Sequence, residues 1–231
     1  MKKFFKFLLR FLKYFLIIFF SSTIFFVVLY RFIDPPITPL MLIRTVQQTF
    51  SGDRVRLKKE WKPLKEISSN LQLAVVASED NRFLEHSGFD LEAIKKAQVY
   101  NEKKKGKKVR GASTISQQTA KNVFLWPDRG WVRKGLEVYF TFLIETVWGK
   151  KRIMEVYLNV IETGNGIYGA EASSQFYFHK SAAALSREQA ALLTAILPNP
   201  RKWDPSHPST YLLSREQWIL WNMGNIGSLE Y

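Results

Sequence analysis

The sequence predicts a mainly α protein: a single N-terminal transmembrane helix followed by a helical domain. Three observations carry that reading. The 17 residues from Tyr14 to Tyr30 are uncharged and mostly large and apolar. Apolar residues then recur at i, i+3, i+4 spacing through much of the chain, and alternating runs of strand length are scarce.

The Tyr14–Tyr30 run would extend about 26 Å as a helix, near the lower limit of about 17–25 residues for a span. Lys13 and Arg31 flank it and can reach the two interfaces. Lys2, Lys3, Lys6, Arg10 and Lys13 precede it, whereas only Arg31 follows before a long acid-containing stretch. The positive-inside bias therefore places the N-terminus in the cytoplasm. A cleaved signal peptide would need a shorter apolar core and small residues before the cut, but this run ends in Val27-Val28-Leu29-Tyr30-Arg31. The expected organisation is a cytoplasmic tail over 1–13, a transmembrane helix over 14–33 and an extracytoplasmic domain over 34–231. Asp34-Pro35-Pro36-Ile37-Thr38-Pro39 reads as a stiff linker, because three prolines in five residues cannot continue the helix.

Ser68 or Ser69 can cap a helix carrying Leu71, Ala74 and Val75. Thr114 and Gln117 have capping-box spacing, which predicts a helix starting at Ser113 or Thr114. Trp131 to Trp148 repeats Leu136, Phe140, Leu143 and Val147 at helical spacing, and Ile153, Val156, Tyr157 and Val160 make another stripe. Ser186 with Gln189 forms a second capping box before Leu192, Leu193, Ile196 and Leu197, and Pro198 ends that helix. Two stretches interrupt the pattern. Asn101 to Arg110 carries six basic residues in ten and reads as an exposed loop; it is either a solvated face or a contact for anionic headgroups or substrate. Glu162 to Gly169 holds three glycines, which mark a turn or a close backbone approach. No internal repeat is evident.

Of the 231 residues, 46% are hydrophobic and 15% aromatic, ample for a packed core. Lys and Arg outnumber Asp and Glu by 34 to 20, for a formal charge of +14. Removing the five positive charges ahead of the apolar run leaves a surplus of about nine, so the remainder is basic in its own right. That surplus suits an anionic partner: nucleic acid, an anionic lipid surface or a phosphorylated substrate. With no cysteine, a disulfide framework and a thiolate metal site are both excluded.

Glu79-Asp80 closes the apolar run Leu73–Ala77 and is followed by Phe83, His86 and Gly88. A carboxylate at the end of an apolar helix can serve as a general base, although a surface ion pair with Arg82 is the commoner fate of such a pair. From Gly111 to Asn122, Thr114, Gln117, Gln118 and Lys121 share one helical face. That face offers hydroxyl and amide groups for a sugar, an ammonium for a phosphate, and a helix N-terminus suited to an anion; a merely solvated face is the plain alternative. Arg129, Arg133 and Lys134 place three cations within six residues, which with Lys121 could neutralise a pyrophosphate. Glu137 lies four residues from Arg133, where an ordinary ion pair is the default. It could instead help hold a divalent cation. Aromatics around Phe124, Leu125, Trp126 and Trp131 either dip into the membrane interface or belong to the core.

Taken in order, these segments resemble the peptidoglycan glycosyltransferases that share a lysozyme-like fold, and in particular their monofunctional, biosynthetic branch. The family's first motif is met at Glu79, Asp80, Phe83, His86 and Gly88. The second runs from Gly111 to Asn122, and the third is Arg133, Lys134 and Glu137. The fourth centres on Tyr157, Leu158 and Asn159, and the fifth leads into Leu197–Pro200. Five motifs in order over about 120 residues are far more specific than any one of them. Thr163 departs from the pattern, standing where an aromatic is usual, and this puts the local wall of the cleft in question.

The resemblance implies a lysozyme-like helical domain with a small membrane-facing lobe, held on the periplasmic side of the bacterial inner membrane. It implies polymerisation of lipid II into glycan strands with β-1,4 bonds, inversion and release of undecaprenyl pyrophosphate. Glu79 would be the base and Glu137 a second essential carboxylate, as stabiliser or metal ligand. Ser113, Thr114, Gln117 and Gln118 would bind the donor, and Lys121, Arg129, Arg133 and Lys134 the departing pyrophosphate. Asp80, Phe83, His86, Asn122, Tyr157 and Asn159 would support them. A divalent cation, Mg or Mn, fits this chemistry and no organic cofactor is implied. The expected partners are lipid II, the nascent glycan-linked undecaprenyl pyrophosphate, membrane lipids and other cell-wall synthesis and division proteins, and not nucleic acid. No Ser-x-x-Lys or Lys-Thr-Gly motif is present, so no transpeptidase activity is expected. A lytic enzyme of the same fold and a non-catalytic anchored scaffold are the remaining readings.

Overall fold

The structure is a computed structural model and describes residues 2–52, 54–104, 111–128 and 130–231. In chain order, the described residues form α1 (Lys2–Phe32), α2 (Pro39–Phe50), β1 (Lys58–Lys59), α3 (Ser69–Glu79), α4 (Leu91–Lys103), α5 (Ile115–Phe124), α6 (Trp131–Val147), α7 (Lys150–Val160), β2 (Glu162–Gly164), β3 (Ile167–Tyr168), α8 (Ala170–Phe178), α9 (Arg187–Ala195) and α10 (Thr210–Ile226). This is the mainly α architecture that the periodicity predicts, and it accords with a lysozyme-like helical domain.

The caps form where the sequence places them. Ser68 accepts from the Asn70 N–H at the start of α3. Thr114 with Gln117, and Ser186 with Gln189, form complete capping boxes at α5 and α9. Each box satisfies backbone donors that the first turn leaves without a partner. Asn101–Lys103, expected in a loop, are the last turn of α4; Lys105–Arg110 lie outside the described residues.

α5 is the organising helix. It packs on α6, α7 and α2, while α3, α9 and α10 form a second packed group beside it. Ile115, Ala120 and Val123 of α5 are buried with Val75, Val76, Phe83, Ile144, Ile153 and Tyr157 in one continuous core. A three-stranded sheet of order β1-β3-β2 forms from the glycine-rich stretch, with β1 parallel and β2 antiparallel to β3. The expected turn and the close approach are both present at Gly166. It has φ +71°, and a Cβ there would lie 2.1 Å from the Arg56 carbonyl oxygen. Lys58 donates its N–H to the Gly166 carbonyl at 2.8 Å, so the turn also receives the incoming strand. Thr163 is not on the wall of a cleft. It is buried, hydrogen-bonded to Ser173, and borders a void of about 10 Å³ between Leu71, Leu158 and Leu193.

α1 is long and apolar enough to cross a membrane over Lys3–Phe32, and its apolar side chains mostly point away from the rest of the protein. Its second half is fastened to the domain. Phe19 and Phe20 pack on Tyr139 with ring centroids 6.0 and 5.7 Å apart, and the Thr23 and Tyr139 hydroxyls lie 2.8 Å apart. The Trp148 indole N–H donates to the Val27 carbonyl at 2.7 Å. Arg152 of α7 then closes the helix end: its guanidinium donates to the Tyr30 and Ile33 carbonyls at 3.0 Å each and pairs with Asp34 at 2.9 Å and with Glu155. A cation at a helix C-terminus meets both its unpaired carbonyls and its dipole.

Asn159 makes a comparable clamp inside the domain. Its amide accepts from the Lys62 N–H and donates to the Lys62 and Glu155 carbonyls, each at 2.8 Å. Because the site is fully buried, Asn159→Ala should cost about 2–4 kcal/mol through the backbone groups left unpaired. Thermal unfolding of the variant checks this, with a shift of several degrees expected.

Candidate active site

Glu79 is the last residue of α3 and Asp80 its C-cap, so the two carboxylates diverge. Asp80 is buried and holds the architecture together. One oxygen is 2.8 Å from His86 Nε2, and the other accepts from the Ile115 N–H at 3.0 Å, at the first turn of α5. This carboxylate adds to the Thr114 capping box at a helix end that favours negative charge. Glu79 remains half-buried. The Gln118 amide donates to its Oε2 at 2.9 Å, and the Tyr157 hydroxyl donates to the Gln118 carbonyl oxygen at 3.3 Å. Burial pushes the Tyr157 phenol well above the usual tyrosine range, and Glu79 and Asp80 add to this. The phenol therefore stays protonated and keeps the amide turned with its N–H toward Glu79.

Lys121 follows Gln118 by one turn of α5. It is half-buried, and among the described residues its ammonium has no hydrogen-bond or ion-pair partner. Burial lowers it below the ordinary lysine value of 10.5; Glu137 and Glu79 oppose that shift, and Arg133 and Lys134 reinforce it. Lys121 thus feels the charge of Glu79 and of a group on α6 made by Arg133, Lys134 and Glu137. In that group Glu137 is buried and its two oxygens are taken by Arg133 Nη1 and Lys134 Nζ. Arg133 Nε is buried and has no partner. Two cations in the first turn of α6 oppose its dipole, a local cost of the kind found where a binding site needs positive charge.

The predicted residues therefore separate by role. Glu79, Gln118, Lys121, Arg133, Lys134 and Glu137 come together. Ser113 is exposed ahead of α5 and lines, with Gln117, Lys134 and Ile94, a cleft of about 740 Å³ between α4, α5 and α6. Glu79 and Lys121 do not line it; Lys134 is the residue it shares with the charged cluster. Thr114 faces inward, donating to the Gly88 carbonyl at 2.6 Å and accepting from the Gln117 N–H, and the Gln117 carbonyl oxygen returns to the Thr114 N–H. Phe83 is fully buried under Lys150, whose ammonium lies 4.7 Å from the ring centroid. Asn122 is buried on α5, and Asn159 clamps backbone. Arg129 lies outside the described residues. Gly88 has φ +88°, and a Cβ there would come within 2.8 Å of Thr141, so no other residue fits against α6. Phe124 and Leu125 belong to the core, Phe124 stacking on Phe140 at 4.5 Å, whereas Trp126 and Trp131 are exposed.

The sequence profile of the transglycosylase family matches residues 45–224, which contain every part of this arrangement. The chain belongs to the transglycosylase family. Three relatives share its length as well. The biosynthetic peptidoglycan transglycosylase of Bacteroides thetaiotaomicron is 58% identical over 213 residues, covering 92% of this chain and 85% of that protein. The protein of the same name from Bdellovibrio bacteriovorus is 57% identical over 204 residues, 88% and 81% of the two chains. That of Pseudomonas entomophila is 49% identical over 224 residues, 97% and 94%.

As a transglycosylase it presents one half-buried carboxylate held by an amide, an ammonium with no partner among the described residues, and the buried Arg133 beside the half-exposed Lys134. It presents no cage for a metal. Among the described residues no three His, Cys, Asp or Glu side chains gather, and Glu137 is occupied by two cations. This donor set does not by itself hold a divalent cation, and no step below is routed through one. The clamp on α1 and the inward turn of Thr114 were beyond sequence reasoning, since helical spacing does not say which neighbour a side chain meets.

The lowered Lys121 gives a pH dependence. The ammonium must be charged to hold a leaving anion, so activity should decline on the alkaline side before the ordinary lysine value of 10.5 is reached. Lys121→Arg keeps its charge and should extend that limb upward. Initial rates between about pH 7 and 10 test both.

Proposed function

We propose that this chain polymerises lipid II into the glycan strands of the cell wall. Glu79 takes the proton from the C4 hydroxyl of an acceptor lipid II as that oxygen bonds to the anomeric carbon of the lipid-linked growing chain. The bond from that carbon to the pyrophosphate breaks, the electron pair leaves with the pyrophosphate, and attack from the opposite face turns an α linkage into β-1,4. A pyrophosphate needs no general acid when fixed cations offset its charge, which is why one carboxylate suffices where a glycosidase uses two. The observation that carries this reading is the Lys121 ammonium, without a partner among the described residues and near enough to Glu79, Arg133, Lys134 and Glu137 to feel their charges. The Lys121 ammonium supplies unused donors for phosphate oxygens. Nothing in the chain supplies a transpeptidase motif.

The membrane features support a lipid-linked substrate. An apolar crevice of about 340 Å³ between α1, α2, α5 and α6 is lined by Thr23, Phe26, Tyr30, Leu42, Phe124 and Phe140. It gives a hydrocarbon chain a place to lie beside the anchor. Trp131, Val132, Val138 and Phe142 are exposed along α6, the helix against which α1 packs, and form a face suited to lipid. The basic first turns of α1, ahead of its apolar run, favour a cytoplasmic N-terminus, with the catalytic domain on the periplasmic side of the inner membrane. Other wall-synthesis proteins are the natural partners of such an enzyme.

Purified full-length protein with lipid II and Mg should yield polymer that a muramidase digests. Glu79→Gln should lower the rate by about 100-fold or more with an unchanged circular dichroism spectrum; an unchanged rate overturns the assignment. Lys121→Ala should lose turnover far more than stability. A large fall in melting temperature with normal specific activity would make Lys121 structural.

A further inference from the structure

The second oxygen of Glu79 is also held, and from an element that none of the motifs reaches. Ser78 Oγ donates to Glu79 Oε1 at 3.2 Å, and Arg215 Nη2, from α10, donates to the same Ser78 Oγ at 3.2 Å. The direction of this chain is fixed by chemistry. A guanidinium only donates and an ionised carboxylate only accepts, so the hydroxyl between them must accept from one and donate to the other. Arg215 has no carboxylate partner of its own among the described residues, and its Nε is buried and unpaired. The ring of Trp218, whose centroid lies 5.7 Å from the guanidinium carbon, is its packing partner. A half-buried cation left without an ion pair is costly unless something else uses its charge.

We infer that Arg215 is a positioning residue for the transfer reaction, orienting and holding the ionised Glu79 carboxylate through Ser78. With the Tyr157–Gln118 chain on Oε2, each oxygen accepts one hydrogen bond, from Gln118 on α5 and from Ser78 on α3, the latter backed by Arg215 on α10. This fixes the carboxylate plane, and each oxygen keeps a lone pair for the incoming proton. The inference rests on Glu79 being the base. It assigns a task to the C-terminal helix, which otherwise only packs against α3 and α9.

The test uses the full chain in detergent with lipid II, and compares Arg215→Ala, Arg215→Lys, Ser78→Ala and the Arg215→Ala/Ser78→Ala double variant. Arg215→Ala and Ser78→Ala should each lower turnover by about 10- to 100-fold, as for a misplaced catalytic group, with KM for lipid II unchanged. The double variant should be no worse than the poorer single one, and Arg215→Lys should recover part of the loss. Ser78→Ala removes one oxygen and carries the test alone if loss of Arg215 unfolds the protein. Additive losses, a rise in KM with normal turnover, or full activity in Ser78→Ala overturn the proposal. Glu79→Gln run in parallel separates the two claims: if it is inactive while Ser78→Ala is normal, only the relay fails, and if it is active, the base assignment fails with it.

Discussion

A single buried carboxylate sets the geometry on which the site depends. Asp80 ties the end of α3 to the first N–H of α5 and to His86, and this junction brings Glu79 against Gln118 and within one turn of Lys121. Removing a carboxylate from water is costly, but here its acceptor capacity is used by a helix N-terminus and an imidazole, which makes the buried charge tolerable. Adjacent acids thus serve opposite ends: Asp80 is buried and joins two helices, and Glu79 stays half-buried and accepts from Ser78 and Gln118.

The charges around the groove are distributed unequally. Glu137 absorbs Arg133 and Lys134, so that pair of cations is preassembled and rigid, while Lys121 is left uncompensated. An anion arriving beside Lys121 would complete a network that is short of one negative group. Preorganised donors of this kind need no rearrangement at the moment charge develops on a leaving group.

Much of this was legible in the sequence. The capping boxes at Thr114 and Ser186, the apolar stripe of α7 and the span of α1 all follow from local rules, because caps and periodicity are decided by residues within one or two turns. The order of the five motifs placed Glu79, Lys121 and Glu137 in one site. What stayed hidden depends on pairs distant in sequence. Asn159 clamps the backbone of Lys62, nearly a hundred residues away, and Arg215 reaches Ser78 across 137 positions. Thr163 turns inward to the Ser173 hydroxyl. A helical face looks alike in sequence whether it meets solvent, substrate or another helix.

The Arg152 clamp on the end of α1 has a mechanical meaning. Hinges between an anchor and its cargo normally let an ectodomain swing, but here carbonyls, an indole and a guanidinium lock the two into one body. With α1 in a bilayer, the groove is carried at a set elevation and azimuth above the lipid plane, like a tool on a fixed mast. A strand extruded from it would leave along a direction dictated by the tilt of one helix, so a change in bilayer thickness would re-aim the product without touching a single residue of the site.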